Sequence, residues 1–156
     1  MPQPQSLRWE RILVTTDFSP FANAAVDYAH ALAETMNAEL HVLHVVHDIR
    51  EAVAEHGAVG TVDPTGNPDE ADEWLAKLLG EPGTVRRVEA LRVGDDVATT
   101  IVKYAKTHAI DLIVMATHGR TGLTHLLAGS VTEKVLRHAP CPLLAIRAGE
   151  RGASAP

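Results

Sequence analysis

The sequence predicts an α/β fold: a single three-layer domain built around a five-stranded parallel sheet. Two observations carry this. Short apolar runs alternate with segments of helical period in the order βαβαβαβαβ, the signature of crossover units with helices on both faces of a sheet. The 156 residues are 46% apolar but only 4% aromatic, so the core is built from Val, Leu, Ile and Ala. That is the usual filling of a parallel sheet buried on both faces.

Residues 1–9 and 148–156 are rich in Pro, Gln, Gly or Ala and lack an apolar period, so they read as mobile tails around a domain spanning 10–147. RILVTTD opens the domain as an apolar strand that stops at Asp17. Ser19 then caps a helix, Pro20 takes its first position, and Ala25, Ala29, Leu32, Ala33 and Met36 recur on one face. ELHVLHVV is the second strand, carried by Leu40, Val42, Leu43, Val45 and Val46. From His47 to Pro68 the chain is broken by Gly and Pro, including DPTGNP, and reads as a long surface excursion with an irregular helical turn near REAVAEH. Such a loop is a candidate lid. DEADEWLAKLLG follows as a helix with Ala71, Trp74, Leu75, Leu78 and Leu79 on one face and acidic residues in its first turn, where the macrodipole favours them. TVRRVEALR is a more exposed third strand, and Val97, Ile101, Tyr104 and Ala105 mark the next helix. DLIVMAT is the fourth strand, residues 130–138 the fourth helix and CPLLAIR the fifth strand.

A formal charge of −6 without a Lys/Arg block excludes a basic stripe for non-specific nucleic-acid binding. Cys141, the only cysteine, rules out an internal disulfide or a cysteine metal cluster and suits a reducing compartment. It reads as a small buried hydrophobe. No apolar run approaches the about 20 residues of a membrane span, and MPQPQSLRWE lacks a signal-peptide core. A cytoplasmic location is expected.

If strand 1 is central, with strands 2 and 3 on one side and 4 and 5 on the other, the sheet runs in the order 3-2-1-4-5 and reverses between strands 1 and 4, and ligands of such sheets bind beyond the carboxyl ends of the strands at that point. The loops TTDFS and ATHGRTG face one another there. Gly119, Gly122 and Gly129 allow close backbone approach and positive φ, and Ser130 starts a helix whose first amides lack internal partners. These features make an anion cradle. A second reading stays open: Ser130 and Glu133 form S-x-x-E, a capping box that occupies the same amides without a ligand.

The segment ATHGRTGLTHLLAGS reads A-x-x-G, nine residues, then G-S. Together with RILVTTDFSPFANAAVDYA, LHVLHVV and VTEKVLRHAPCPLLAIR, it resembles the universal stress protein family over nearly the whole chain. The ATP-binding branch of that family carries G-x-x-G, nine residues, G-S/T on an adenine nucleotide alpha hydrolase-like fold. Ala116 stands here where that motif has its first glycine. With a negative φ the change adds one methyl group; with a positive φ the turn has to shift.

The resemblance implies ATP as ligand, with Mg²⁺ bridging its phosphates and no metal-binding side chain. Asp17 would hold the base or ribose, since a carboxylate beside a triphosphate is repelled; the competing reading makes it a turn acceptor for Ser19. Thr15 and Thr16 would line the same pocket, Val45 would offer backbone atoms to the adenine edge, and Met115 and Ala116 would lie beneath the nucleotide. Gly119, Gly129, Ser130 and Val131 would form the phosphate cradle, with Arg120 either adding a charged contact or facing solvent. The family also pairs its last strand across a two-fold axis, implying a homodimer through Cys141 to Arg147.

Other chemistries fit less well. His41 and His47 share one face of their strand and His44 the other, so the three do not converge on a metal. His118 and His125 flank the glycine turns and read as a polar loop and helix face. The chain has neither G-x-x-x-x-G-K-S/T nor G-x-S-x-G. It also lacks the acid pair and the lysine of a phospho-accepting receiver domain, despite Asp17 at a strand end. No catalytic residue is assigned. The expected function is a nucleotide-dependent stress-response module acting on a regulatory protein partner; the alternatives are a nucleotide-free dimeric interaction protein and a slow ATPase.

Overall fold

The computed structural model describes residues 8–47, 68–81, 83–117 and 129–147. Five strands, β1 (Arg11–Thr15), β2 (Glu39–His47), β3 (Arg87–Gly94), β4 (Leu112–Ala116) and β5 (Leu143–Ile146), form one sheet in the order β3-β2-β1-β4-β5. Every pairing is parallel: Val14 lies beside Val42 on one side and Val114 on the other, and Ala116 beside Ile146. The predicted topology is the observed one.

Strand alternation divides the core into two layers. Ile12, Val14, Leu40, Val42 and Val114 meet α1 (Pro20–Met36) and α2 (Pro68–Leu79) on one face. Leu13, Leu43, Ile113 and Met115 meet α3 (Val97–Thr107) and α4 (Ser130–His138) on the other. The face of α1 is mostly alanine, and Ala25, Ala29 and Ala33 are fully buried, so that helix lies close to β1 and β4.

Helix ends follow the local sequence. The hydroxyl of Ser19 accepts the Ala22 amide at 3.2 Å with Pro20 in the first turn, and Asp96 accepts the Thr99 amide at 2.7 Å to open α3. Each such cap stabilises its helix by about 1 kcal/mol. Asn37 closes α1 in the left-handed region, at φ 52°.

Several expectations need correction. Trp9 belongs to the folded body: it packs against the α1 face rather than joining a mobile tail. Met36 and Trp74 satisfy the helical period but are exposed, because each lies at the margin of its helix's apolar stripe. Cys141 precedes β5, is half-buried, and has its thiol pKa pushed up by burial and then by the Asp111 carboxylate. Among the described residues no helix is long and apolar enough to cross a membrane. The candidate lid at 48–67, the tails at 1–7 and 148–156, and Gly119, Arg120, Gly122, His118 and His125 lie outside the described residues.

Candidate functional site

At the carboxyl end of the sheet, β1 and β4 are adjacent and deliver Thr15, Thr16 and Asp17 beside Met115 and Ala116. Hydroxyl and carboxylate groups shape the turn after β1. Thr16 is buried; its hydroxyl accepts the Phe18 amide at 3.0 Å and its carbonyl accepts a hydrogen bond from His44 Nδ1 at 2.8 Å. Asp17 Oδ1 accepts the Ser19 amide at 2.9 Å, so the turn-acceptor role is real, and it fixes the direction of the carboxylate. Thr15 is half-buried and lies beside Leu43.

Phe18 carries the tension of this turn. Its φ of 62° is a left-handed conformation that a bulky aromatic rarely adopts. The ring offsets that strain by packing against His44, with centroids 4.5 Å apart, and against the edge of Trp74 at 5.5 Å. Sequence reasoning passed over Phe18, because nothing about an aromatic residue signals positive φ.

The opposite wall is the start of α4. Its N-cap is Gly129, not Ser130, and Gly129 has no side chain with which to cap the turn. The S-x-x-E capping box is therefore absent: Ser130 is already helical, and Glu133, one turn on, pairs with Arg137 at 2.7 Å. Gly129 has φ −63°, so positive φ is not why glycine stands there. Close approach is the reason: its amide donates to the Thr117 carbonyl at 2.6 Å, and an added Cβ would lie 3.2 Å from that oxygen. One turn of helix thus begins with main-chain donors against a backbone close enough that a side chain at 129 would crowd it. Such a turn favours an anion.

Ala116 is not among the described non-glycine residues with positive φ, which are Phe18, Asn37 and Ala109. Of the two cases open in the sequence, the milder one therefore holds. Its methyl group packs towards the α1 face, while Met115 enters the α3 and α4 face together with Val45 and Val131. Val45, Met115 and Val131 thus share one apolar cluster beneath the strand ends. Among the described residues no group of three or more His, Cys, Asp or Glu could hold a metal ion. His41 and His44 are both buried, but on opposite faces and with separate partners.

A parallel sheet ordered β3-β2-β1-β4-β5, with a strained turn after β1 and a glycine-capped helix start after β4, defines a doubly wound α/β domain whose strand order reverses between β1 and β4. The sequence model of the Universal stress protein family matches residues 8–147. The chain belongs to the universal stress protein family. It is 31% identical over 144 residues to universal stress protein A homolog 1 of Coxiella burnetii, covering 90% of this chain and 97% of that one. The solved UspA of Lactobacillus plantarum superposes with a TM-score of 0.70 at 28% identity, over 91% of this chain and all of that one. A more distant fold-mate, an Archaeoglobus fulgidus universal stress protein solved with dAMP, gives a TM-score of 0.60 at 19% identity over 90% of this chain and 99% of that one.

Proposed function

We propose that this protein binds ATP at the β1/β4 switch point, with Mg²⁺ bridging the phosphates, and acts as a cytoplasmic, homodimeric, nucleotide-dependent regulator in the stress response. The observation that carries the reading is the Gly129 junction: a helix start with a glycine N-cap, whose first amides have no partner within the helix and where an added Cβ would lie 3.2 Å from the Thr117 carbonyl. That is the donor set a phosphate needs. In this reading Gly129, Ser130 and Val131, with Gly119 and Arg120, hold the phosphates. Asp17 holds the ribose or base, away from the triphosphate, because like charges repel. Thr15 and Thr16 flank Asp17, Val45 offers main-chain atoms to the adenine edge, and Met115 and Ala116 lie beneath it. The negative φ of Ala116 supports a nucleotide fit despite the missing glycine. The dAMP held by one fold-mate, and the cAMP held by another universal stress protein, point to the same ligand class.

Hydrolysis is slow in this reading, because tight binding of a ground state does not by itself lower a barrier. Self-association is supported by the short edge strand β5, where Leu144 is 41% exposed, and an unpaired apolar edge invites another copy of the chain. The test is to purify the protein without added nucleotide, denature it and identify the small molecules released. Stoichiometric adenine nucleotide is expected, as is a thermal shift with millimolar ATP and Mg²⁺. Neither release nor shift, with a dimer persisting in light scattering, would select the nucleotide-free interaction protein instead. A monomer at micromolar concentration would remove the dimer from both readings.

A further inference from the structure

We propose that Thr132 is the positioning residue of the phosphate cradle: its buried hydroxyl latches the first turn of α4 to the end of β4 and so sets the direction of the Ser130 and Val131 amides. This rests on the nucleotide reading above. Thr132 is 4% exposed, and a hydroxyl withdrawn from water needs a partner to offset its lost hydration. A threonine inside a helix usually finds one in the preceding turn. Here the hydroxyl instead donates across sixteen positions of sequence to the carbonyl of Ala116, at 3.0 Å.

A second tie lies one helical turn earlier, where the Gly129 amide donates to the Thr117 carbonyl at 2.6 Å. Positions 129 and 132 stand on the same side of the helix, three residues apart. Two bonds to consecutive carbonyls of one strand end therefore restrain both the tilt and the rotation of the first turn. The amides between the two ties are those of Ser130 and Val131, which have no carbonyl four residues back within the helix. A valine would fill the same volume without the latch. Donors that bind an anion must be held to within about 0.5 Å and 10–20°, so the fit of the phosphates depends on a residue that need not touch them.

The test compares Thr132→Val, which keeps shape and loses the hydroxyl, with Thr132→Ser, which keeps the hydroxyl. Calorimetric affinities for Mg²⁺-ATP and for adenosine, which has no phosphate, are measured alongside backbone order parameters of Ser130 and Val131. The valine variant is expected to bind ATP about tenfold more weakly, the effect of losing one buried hydrogen bond, and adenosine within about twofold of the parent protein. Its Ser130 and Val131 order parameters should fall from about 0.85 towards 0.6 while that of Val114 stays high. The serine variant should restore all of these. An unchanged ATP affinity, or equal losses for ATP and adenosine, would overturn the proposal. If the parent protein binds neither ligand, the nucleotide reading falls; the order parameters then decide alone, and equal values in the valine variant would overturn the latch. Thr132→Ala serves with the same expectations if the valine variant does not fold.

Discussion

The carboxyl end of β1 and β4 and the flank where α3 covers β2 are built in opposite ways. On the flank, side chains dominate. His41 is buried between the Glu39 carboxylate, 2.9 Å from Nε2, and the Tyr104 hydroxyl, 2.8 Å from Nδ1. A carboxylate only accepts, so Nε2 carries the proton and neutral Nδ1 accepts from Tyr104. Burial is the main force lowering the His41 pKa, against the opposing pull of Glu39, and this matches a neutral ring. The Tyr104 ring stacks on His108 with centroids 3.9 Å apart and lies 5.2 Å from the Arg92 guanidinium. A cavity of about 540 Å³ borders this flank, but Arg92 and Lys103 share its wall with Asp95 and Asp96, so its charge selects no ligand.

At the strand ends the geometry comes from main chain tied down by small hydroxyls at Thr16, Ser19 and Thr132, with Asp17, Phe18 and His44 bracing the turn after β1. Histidine, tyrosine and glutamate make the conspicuous cluster, yet that cluster is satisfied from within and acts as cement. The strand-end region holds the first amides of α4, which have no partner within the helix. Reactive-looking residues therefore mark stability here, and glycine with threonine marks the candidate site.

The sharpest test of this contrast is Gly129→Val. Its Cβ would lie 3.2 Å from the Thr117 carbonyl and press the first turn of α4 away from β4, so ATP affinity should fall about a hundredfold, roughly 2.7 kcal/mol, with overpacking lowering stability by about 1–3 kcal/mol in urea unfolding. Asp17→Ala should weaken ATP about tenfold, since one charge-assisted contact is lost, while stability changes by less than about 1 kcal/mol. Tyr104→Phe should do the reverse: it strips His41 of its donor and lowers stability by about 1–2 kcal/mol with nucleotide affinity unchanged. A Tyr104→Phe variant that loses ATP binding would break the contrast. Ala116→Gly should alter ATP affinity by less than about threefold, because a residue with negative φ gains little from glycine.

The smallest effect is one of pH. With its folded pKa below the ordinary 6.5, His41 resists protonation in the native state, whereas the unfolded chain takes up the proton near 6.5. Its contribution to stability is complete above pH 6.5 and is lost as pH falls from there towards the folded pKa. His41→Gln should flatten that part of the urea-unfolding profile. A slope identical to that of the parent would show that other groups set it.

The strands and the buried face of α1 were legible because they rest on period and composition, which every residue of an element repeats; their order in the sheet came from taking strand 1 as central and from the family resemblance. Thr132 was hidden beside the more familiar S-x-x-E pattern, although a threonine on the buried face of a short helix was the available signal. The capping box failed because a helix start is set by where the incoming chain meets β4, and that contact put Gly129 at the cap one residue earlier. By itself, then, the sequence determined the five alternating strands, the parallel sheet and its alanine-faced helix, since hydrophobic burial is summed over many residues and tolerates local error. Only the tertiary structure decided the φ of Ala116, the reason for Gly129 and the partner of Thr132. Each of these depends on a contact of a few ångströms between segments distant in sequence, and no local pattern encodes that distance.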